Sequence, residues 1–182
     1  MNYLKASPVG IDFVIDEIQQ RIYQPLVDRW GDLDVYGRVY SNVKVAPNGD
    51  EEFILERYSG NGDYEPVLFS DENKLFFIQG NNPSISFGKA NNDLWVVCIV
   101  DLDSIKNTVH RADEEVHVDL LSVLSTTVPS RDIVEVQYGI ENLRSLANEA
   151  FDDSNFRFSD IHPNHVFMIR LDVSYTLIEN NC

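Results

Sequence analysis

The stretch LWVVCIVDL, residues 94–102, holds a single charged residue among nine. At the two-residue period of a β-strand its apolar residues form two sets, one for each face: Leu94, Val96, Cys98, Val100 and Leu102, and Trp95, Val97 and Ile99. Because both faces are apolar, the stretch predicts a strand in the interior of a sheet, covered on both sides by the rest of the chain.

An amphipathic helix and a hairpin are predicted before this strand. Apolar residues at helical spacing indicate the helix: Ile11, Val14, Ile15, Ile18 and Ile22. Ser7-Pro8 suits a helix start, whereas Pro25 lacks an N–H and predicts an end or kink near Tyr23 or Gln24. Alternation over residues 34–45 predicts a half-buried strand, and a turn at 47–50 returns the chain through residues 52–58.

Two helices and two strands are predicted after the central strand. Asp113 can cap the first helix, and Pro129 closes it. Residues 133–137 predict a short strand, residues 140–151 a further helix, and residues 167–177 an alternating final strand. These elements predict one α+β domain over residues 1–182, with an N-terminal helix and a predominantly antiparallel sheet that carries helices on one face.

The charge excludes some partners. Thirty Asp and Glu against fourteen Lys and Arg give a formal net charge of −16, which repels nucleic-acid phosphates and anionic lipid. The acids are scattered along the chain, which is typical of a solvated surface.

The N-terminus does not resemble a signal peptide, and no apolar run reaches the roughly 20 residues of a membrane span. Two Cys residues are too few for a disulfide framework, and we expect Cys98, within the central strand, to be a small buried core residue.

Two groups of residues resemble metal sites. Asp101 and Asp103 follow the central strand, where Mg²⁺ ligands often lie, but the preferred interpretation is that Asp101 marks the strand exit and Asp103 caps the next turn. Glu114-x-x-His117 resembles half of a di-iron site, a pattern that such sites use twice. His162 and His165 bracket turn residues. With no nucleophile or phosphate-loop motif either, we expect no enzyme, cofactor or metal site, and a transition metal bound by some of these His and acidic residues is the alternative.

Aromatic residues supply the candidate interface: Trp30, Tyr36, Arg38, Tyr40 and Tyr58. Tyr36, Arg38 and Tyr40 share the polar side of the predicted strand over residues 34–45. Exposed aromatics beside Arg are enriched in protein interfaces. Core packing under a helix explains the same aromatics equally well.

Three stretches, in this order, resemble the tail-terminator or tail-completion class of tailed-phage proteins: GIDFVIDEIQQRIYQPL, DLWVVCIVDLDSI and HPNHVFMIRLDVSYTL. The Asn- and Tyr-rich, Cys-poor composition also resembles virion proteins of the crAss-like phages of Bacteroides. The helix at residues 140–151 and the extended meander over residues 52–87 depart from that class and would also fit a different α+β protein.

The resemblance implies a structural virion protein, assembled in the bacterial cytoplasm, that forms a homo-oligomeric ring in the phage neck or tail. Its partners would be its own copies and adjacent portal, neck or tail proteins, with DNA passing through an acidic channel without adhering. One alternative is a small acidic inhibitor that mimics DNA, although scattered acids do not form the paired rows that this needs. Another is a metal-dependent hydrolase that uses Asp101 and Asp103.

Overall fold

The computed structural model describes residues 1–45, 48–49, 51–58, 63–67, 73–80, 83–106, 111–128, 131–146 and 162–177. The helices within these residues are α1 (Ile11–Trp30), α2 (Leu102–Ile105), α3 (Asp113–Thr127) and α4 (Ile140–Leu146). The strands are β1 (Asp34–Arg38), β2 (Tyr40–Val45), β3 (Glu51–Tyr58), β4 (Tyr64–Pro66), β5 (Lys74–Gln79), β6 (Ser84–Ser86), β7 (Lys89–Asp101), β8 (Asp132–Tyr138) and β9 (Asn164–Thr176). The predicted α+β class, with an N-terminal helix and a mainly antiparallel sheet, is confirmed.

The main sheet is built around β7. Its strand order is β1-β5-β7-β9-β8, and the short β6 also pairs with β7. All of its pairings are antiparallel except that of β1 with β5. β7 and β9 pair without interruption from Lys89 opposite Thr176 to Asp101 opposite Asn164. The predicted central strand is therefore the interior strand of the sheet.

The two faces of β7 contribute to two separate cores, as its sequence predicts. Leu94, Val96 and Cys98 pack with the apolar sides of α1 and α3. Trp95 and Val97 face the opposite side, which is covered by the three-stranded sheet β2-β3-β4 and by α4. The two long helices thus share one face of the main sheet, and the short α4 lies on the other.

The predicted strand over residues 34–45 is instead two strands in two sheets. β1 belongs to the main sheet, and β2 begins the small sheet after a break at Val39. The predicted alternation is consequently wrong: Tyr36 is 1% exposed, whereas Val43 and Val45 are 53% and 65% exposed. β1 lies between two covered faces, so both of its sides are buried, while β2 extends into solvent.

Three predictions about helix ends are also wrong. α1 begins after Gly10, which has φ 60°, rather than at Ser7-Pro8, and it continues through Pro25 to Trp30. Ile22, Leu26 and Trp30 are all at most 2% exposed, so burial of this continuous stripe outweighs the one hydrogen bond that Pro25 removes. α3 begins at Asp113 without a side-chain cap, so Asp113 is not the cap. Pro129 and residues 147–151 lie outside the described residues.

We expect Val97→Asp to abolish folding. Val97 is fully buried between β5 and β9, and an unpaired carboxylate there costs several kcal/mol, comparable to the whole stability of a domain. Circular dichroism and urea unfolding measure this. Val43→Asp on the exposed side of β2 is the matched control and should change the unfolding free energy by less than about 1 kcal/mol. A folded Val97→Asp chain would show that β7 is not the structural axis.

Candidate functional site

The five predicted interface residues do not share one surface. Trp30 and Tyr36 are 2% and 1% exposed, so their expected exposure is wrong, and core packing accounts for both. The indole Nε1 of Trp30 donates to Asp119 at 3.1 Å, which fixes α1 against α3. Arg38, Tyr40 and Tyr58 are half-buried and line one cleft.

That cleft is organised by Asp12 of α1, whose side chain is 7% exposed. Asp12 accepts a hydrogen bond from Lys5 Nζ at 2.5 Å and forms an ion pair with Arg38 at 2.8 Å. The hydrogen bond to Asp12 raises the pKa of Lys5. Arg38 also donates to the Tyr40 hydroxyl at 2.7 Å, and the rings of Tyr40 and Tyr58 both contact Tyr64. The side chains that line the cleft therefore connect α1 to the small sheet. A role of Arg38, Tyr40 and Tyr58 in binding a partner stays a prediction.

The acids after β7 form a helix cap. The Asp101 carboxylate accepts hydrogen bonds from the backbone N–H groups of Asp103 and Ser104 at 2.9 and 3.2 Å. Asp101 therefore marks the strand exit, as predicted, but it is also the cap, a role predicted for Asp103. Asp103 instead lies 3.4 Å from His162, with both side chains exposed.

A histidine pair that the sequence does not predict lies between α3 and β9. His117 and His165 are 4% and 3% exposed, and their Nε2 atoms are 2.7 Å apart. A neutral imidazole carries one N–H, so one ring donates at Nε2 and the other accepts there. The rings of Tyr138 and Phe167 lie 4.7 and 4.6 Å from that of His117. The pair thus fastens α3 to the ends of β8 and β9.

The same burial sets the protonation state of His117. Burial, reinforced by His165, lowers the pKa of His117 to about 4, against a partial opposing effect of Asp113. Glu114, one turn before His117 on α3, lies 3.9 Å from its Nδ1 but is 85% exposed. His117 is therefore neutral at pH 7.

A row of three aspartates crosses the main sheet on the face that carries Trp95. Asp172 of β9 lies directly opposite Asp93 of β7 on one side and directly opposite Asp132 of β8 on the other. Directly opposed residues have Cβ atoms about 5 Å apart, so the three carboxylates form a line of like charge. The scatter of acids along the sequence hides this row, because only the strand register brings the three together.

One cation borders the aspartate row. Arg170 lies two residues before Asp172 on the same face, and its guanidinium is 3.2 Å from both Asp93 and Glu135. Among the described residues, no Lys or Arg forms an ion pair with Asp132 or Asp172, and both are exposed. Opposed like charges destabilise a strand pair by a few tenths to about 1 kcal/mol each, so the row gains from contact with a cationic surface.

The described part of the chain gives little support for a metal site, a reactive cysteine or a membrane-spanning helix. It contains no group of three or more His, Cys, Asp or Glu side chains arranged to hold a metal ion. Cys98 is fully buried, and burial raises the pKa of its thiol well above the usual range. No helix there is both long and apolar enough to span a bilayer. Comparison with protein families, curated proteins and solved structures finds no match to the chain.

Asp101→Asn should leave the unfolding free energy nearly unchanged, because Asn caps helices about as well as Asp. Asp101→Ala should cost about 1 kcal/mol, since two backbone N–H groups lose their acceptor. Urea unfolding of both variants measures the difference. Equal losses for Asn and Ala would show that the carboxylate charge, and not only its hydrogen-bond acceptor, supports the cap.

Stability should fall as the pH decreases from 7 to 5. The ordinary pKa of 6.5 applies to unfolded His117 and the lowered value of about 4 to the folded chain, so the unfolded chain takes up the proton first. The expected loss is about 2 kcal/mol, measured by urea unfolding at each pH. His117→Gln should flatten this dependence, and His162→Gln, at an exposed site, should not. An unchanged pH dependence in His117→Gln would contradict the assignment.

Proposed function

We propose that the chain is a structural virion subunit that forms a homo-oligomeric ring in the neck or tail of a tailed phage, without a catalytic role. The aspartate row is the observation that carries this proposal. Its Asp132 and Asp172 carboxylates are exposed, directly opposed and not in an ion pair with any described Lys or Arg, so contact with another subunit would relieve their repulsion. The row thus has the character of a binding surface.

The partner that we propose for the row is another copy of the chain. Two rows cannot lie directly against each other, because their carboxylates would repel. The row of one copy must therefore meet a different surface of the next. Contacts between unlike surfaces of identical subunits generate a ring when the rotation closes.

Such a ring would stack on portal, neck or tail proteins and surround the path of the genome. Each subunit brings a net charge of −16, and a channel of the same sign as DNA lets the DNA pass without adhering. The proposal thereby gives the acidity of the chain a function.

The row also supports a second candidate, an acidic protein that binds a basic partner of another kind. The two candidates differ in what must be present for association. Copies of the chain associate by themselves into a complex of defined mass, whereas the second candidate requires a basic protein; a contact between the row and a cationic surface weakens with salt in both cases.

The test is the molar mass of the chain in solution across concentration, at NaCl from about 0.05 to 0.5 M. We expect a defined ring mass for the chain alone, without any other protein present. A monomer under all these conditions would contradict ring formation by this chain. Retention of a basic protein that salt releases would instead support the second candidate.

The double variant Asp132→Asn with Asp172→Asn sharpens this test. It should unfold at the same or higher urea concentration than the wild type, because opposed charges are removed, yet associate at least about tenfold more weakly. The control Asp28→Asn with Asp103→Asn changes the net charge equally at two exposed sites away from the row. If both doubles associate alike, net charge and not the row governs association.

A further inference from the structure

The hairpin of β6 and β7 ends in an exposed phenylalanine. Phe87 and Gly88 form its two-residue turn, with φ values of 49° and 77°. The Phe87 side chain is fully exposed, at 105% of its reference area, and Ile85 on β6 is 64% exposed. The tip of this hairpin, defined here as Ile85, Phe87 and Lys89, therefore presents two large apolar side chains to solvent.

Phe87 is an unfavourable residue for the fold of this turn. Two-residue turns with positive φ at both positions favour Asn-Gly, because a bulky side chain in the left-handed region costs roughly 1–2 kcal/mol. A fully exposed ring offsets none of that cost by burial. A residue that costs backbone energy and gains no burial within its chain is expected to act outside it.

The tip also differs in charge from the rest of the chain. Residues 74–92 contain no Asp or Glu, although the chain has thirty, and the tip carries the exposed Lys89. The tip is thus cationic and apolar on a strongly acidic chain. It complements the aspartate row in charge.

We propose that the tip of one copy docks on the aspartate row of the next, with the Lys89 ammonium group against Asp132 and Asp172. This inference rests on the proposed ring and names its contact. The tip does not cover the row of its own chain, because Lys89 lies four strand residues, about 13 Å, from Asp93 on the same strand. The relief of like charge in the row and the burial of Phe87 both then come from the neighbouring copy.

Phe87→Asn separates this role from folding. Asn suits the positive φ, so the variant should unfold at the same or higher urea concentration than the wild type, while its association weakens at least about tenfold. Val43→Asn removes an apolar side chain that is 53% exposed on β2 and should leave association unchanged. Analytical ultracentrifugation measures both. Equal association of Phe87→Asn and wild type would overturn the docking role of Phe87.

A charge exchange tests the pairing itself. Lys89→Glu and Asp132→Lys should each weaken association, Lys89→Glu by about tenfold or more. The double variant that carries both substitutions should recover most of the lost association. Additive losses in the double variant would overturn the contact. If the wild type associates and none of these variants weakens it, the docking proposal fails and the ring stands. A wild type that stops at a dimer sensitive to these variants would overturn the ring and keep the contact.

Discussion

The antiparallel pairing of β7 with β9 is the constraint on which the rest of the structure depends. Thirteen residues of each strand pair in one register, and both faces are apolar over residues 94–100 of β7 and residues 166–169 of β9. A shift by one residue would move every side chain to the opposite face. This register therefore decides which residues meet α1 and α3, which meet the small sheet, and which carboxylates stand opposite each other.

Local periodicity predicts the elements that this pairing organises. The apolar residues of β7 divide between the two cores as their alternation indicates, and α1, α3 and β9 follow from their spacing. The prediction of one strand over residues 34–45 is wrong because an alternating sequence does not reveal that Val39 separates two sheets. The prediction that α1 ends near Pro25 is wrong for a related reason. The burial of Leu26 and Trp30 against α3 and the sheet is a tertiary effect that outweighs the local preference of Pro to end a helix.

The candidate sites depend on register and are less accessible to sequence reasoning. His117 and His165 each belong to a recognisable short pattern, but their contact is set by how α3 lies on β9, 48 residues further along the chain. Asp93, Asp132 and Asp172 carry no local signal at all. In contrast, the turn at Phe87 and Gly88 has a local sequence signal, because a large aromatic residue stands where a two-residue hairpin turn favours Asn. The stretch without Asp or Glu around this turn is a second signal.

Two features of the described chain cost folding energy without an internal benefit, and both lie on or next to β7. The aspartate row opposes like charges across three strands, and Phe87 combines an unfavourable backbone with full exposure. The doubly buried β7–β9 pair supplies the stability that lets the fold tolerate them. Local conflicts with folding are expected to cluster where a protein makes contacts, and the charge of Lys89 beside Phe87 is opposite to that of the row, so under our proposal a neighbouring copy relieves both. The same sheet that stabilises the subunit thereby presents both halves of the contact through which we propose that subunits join.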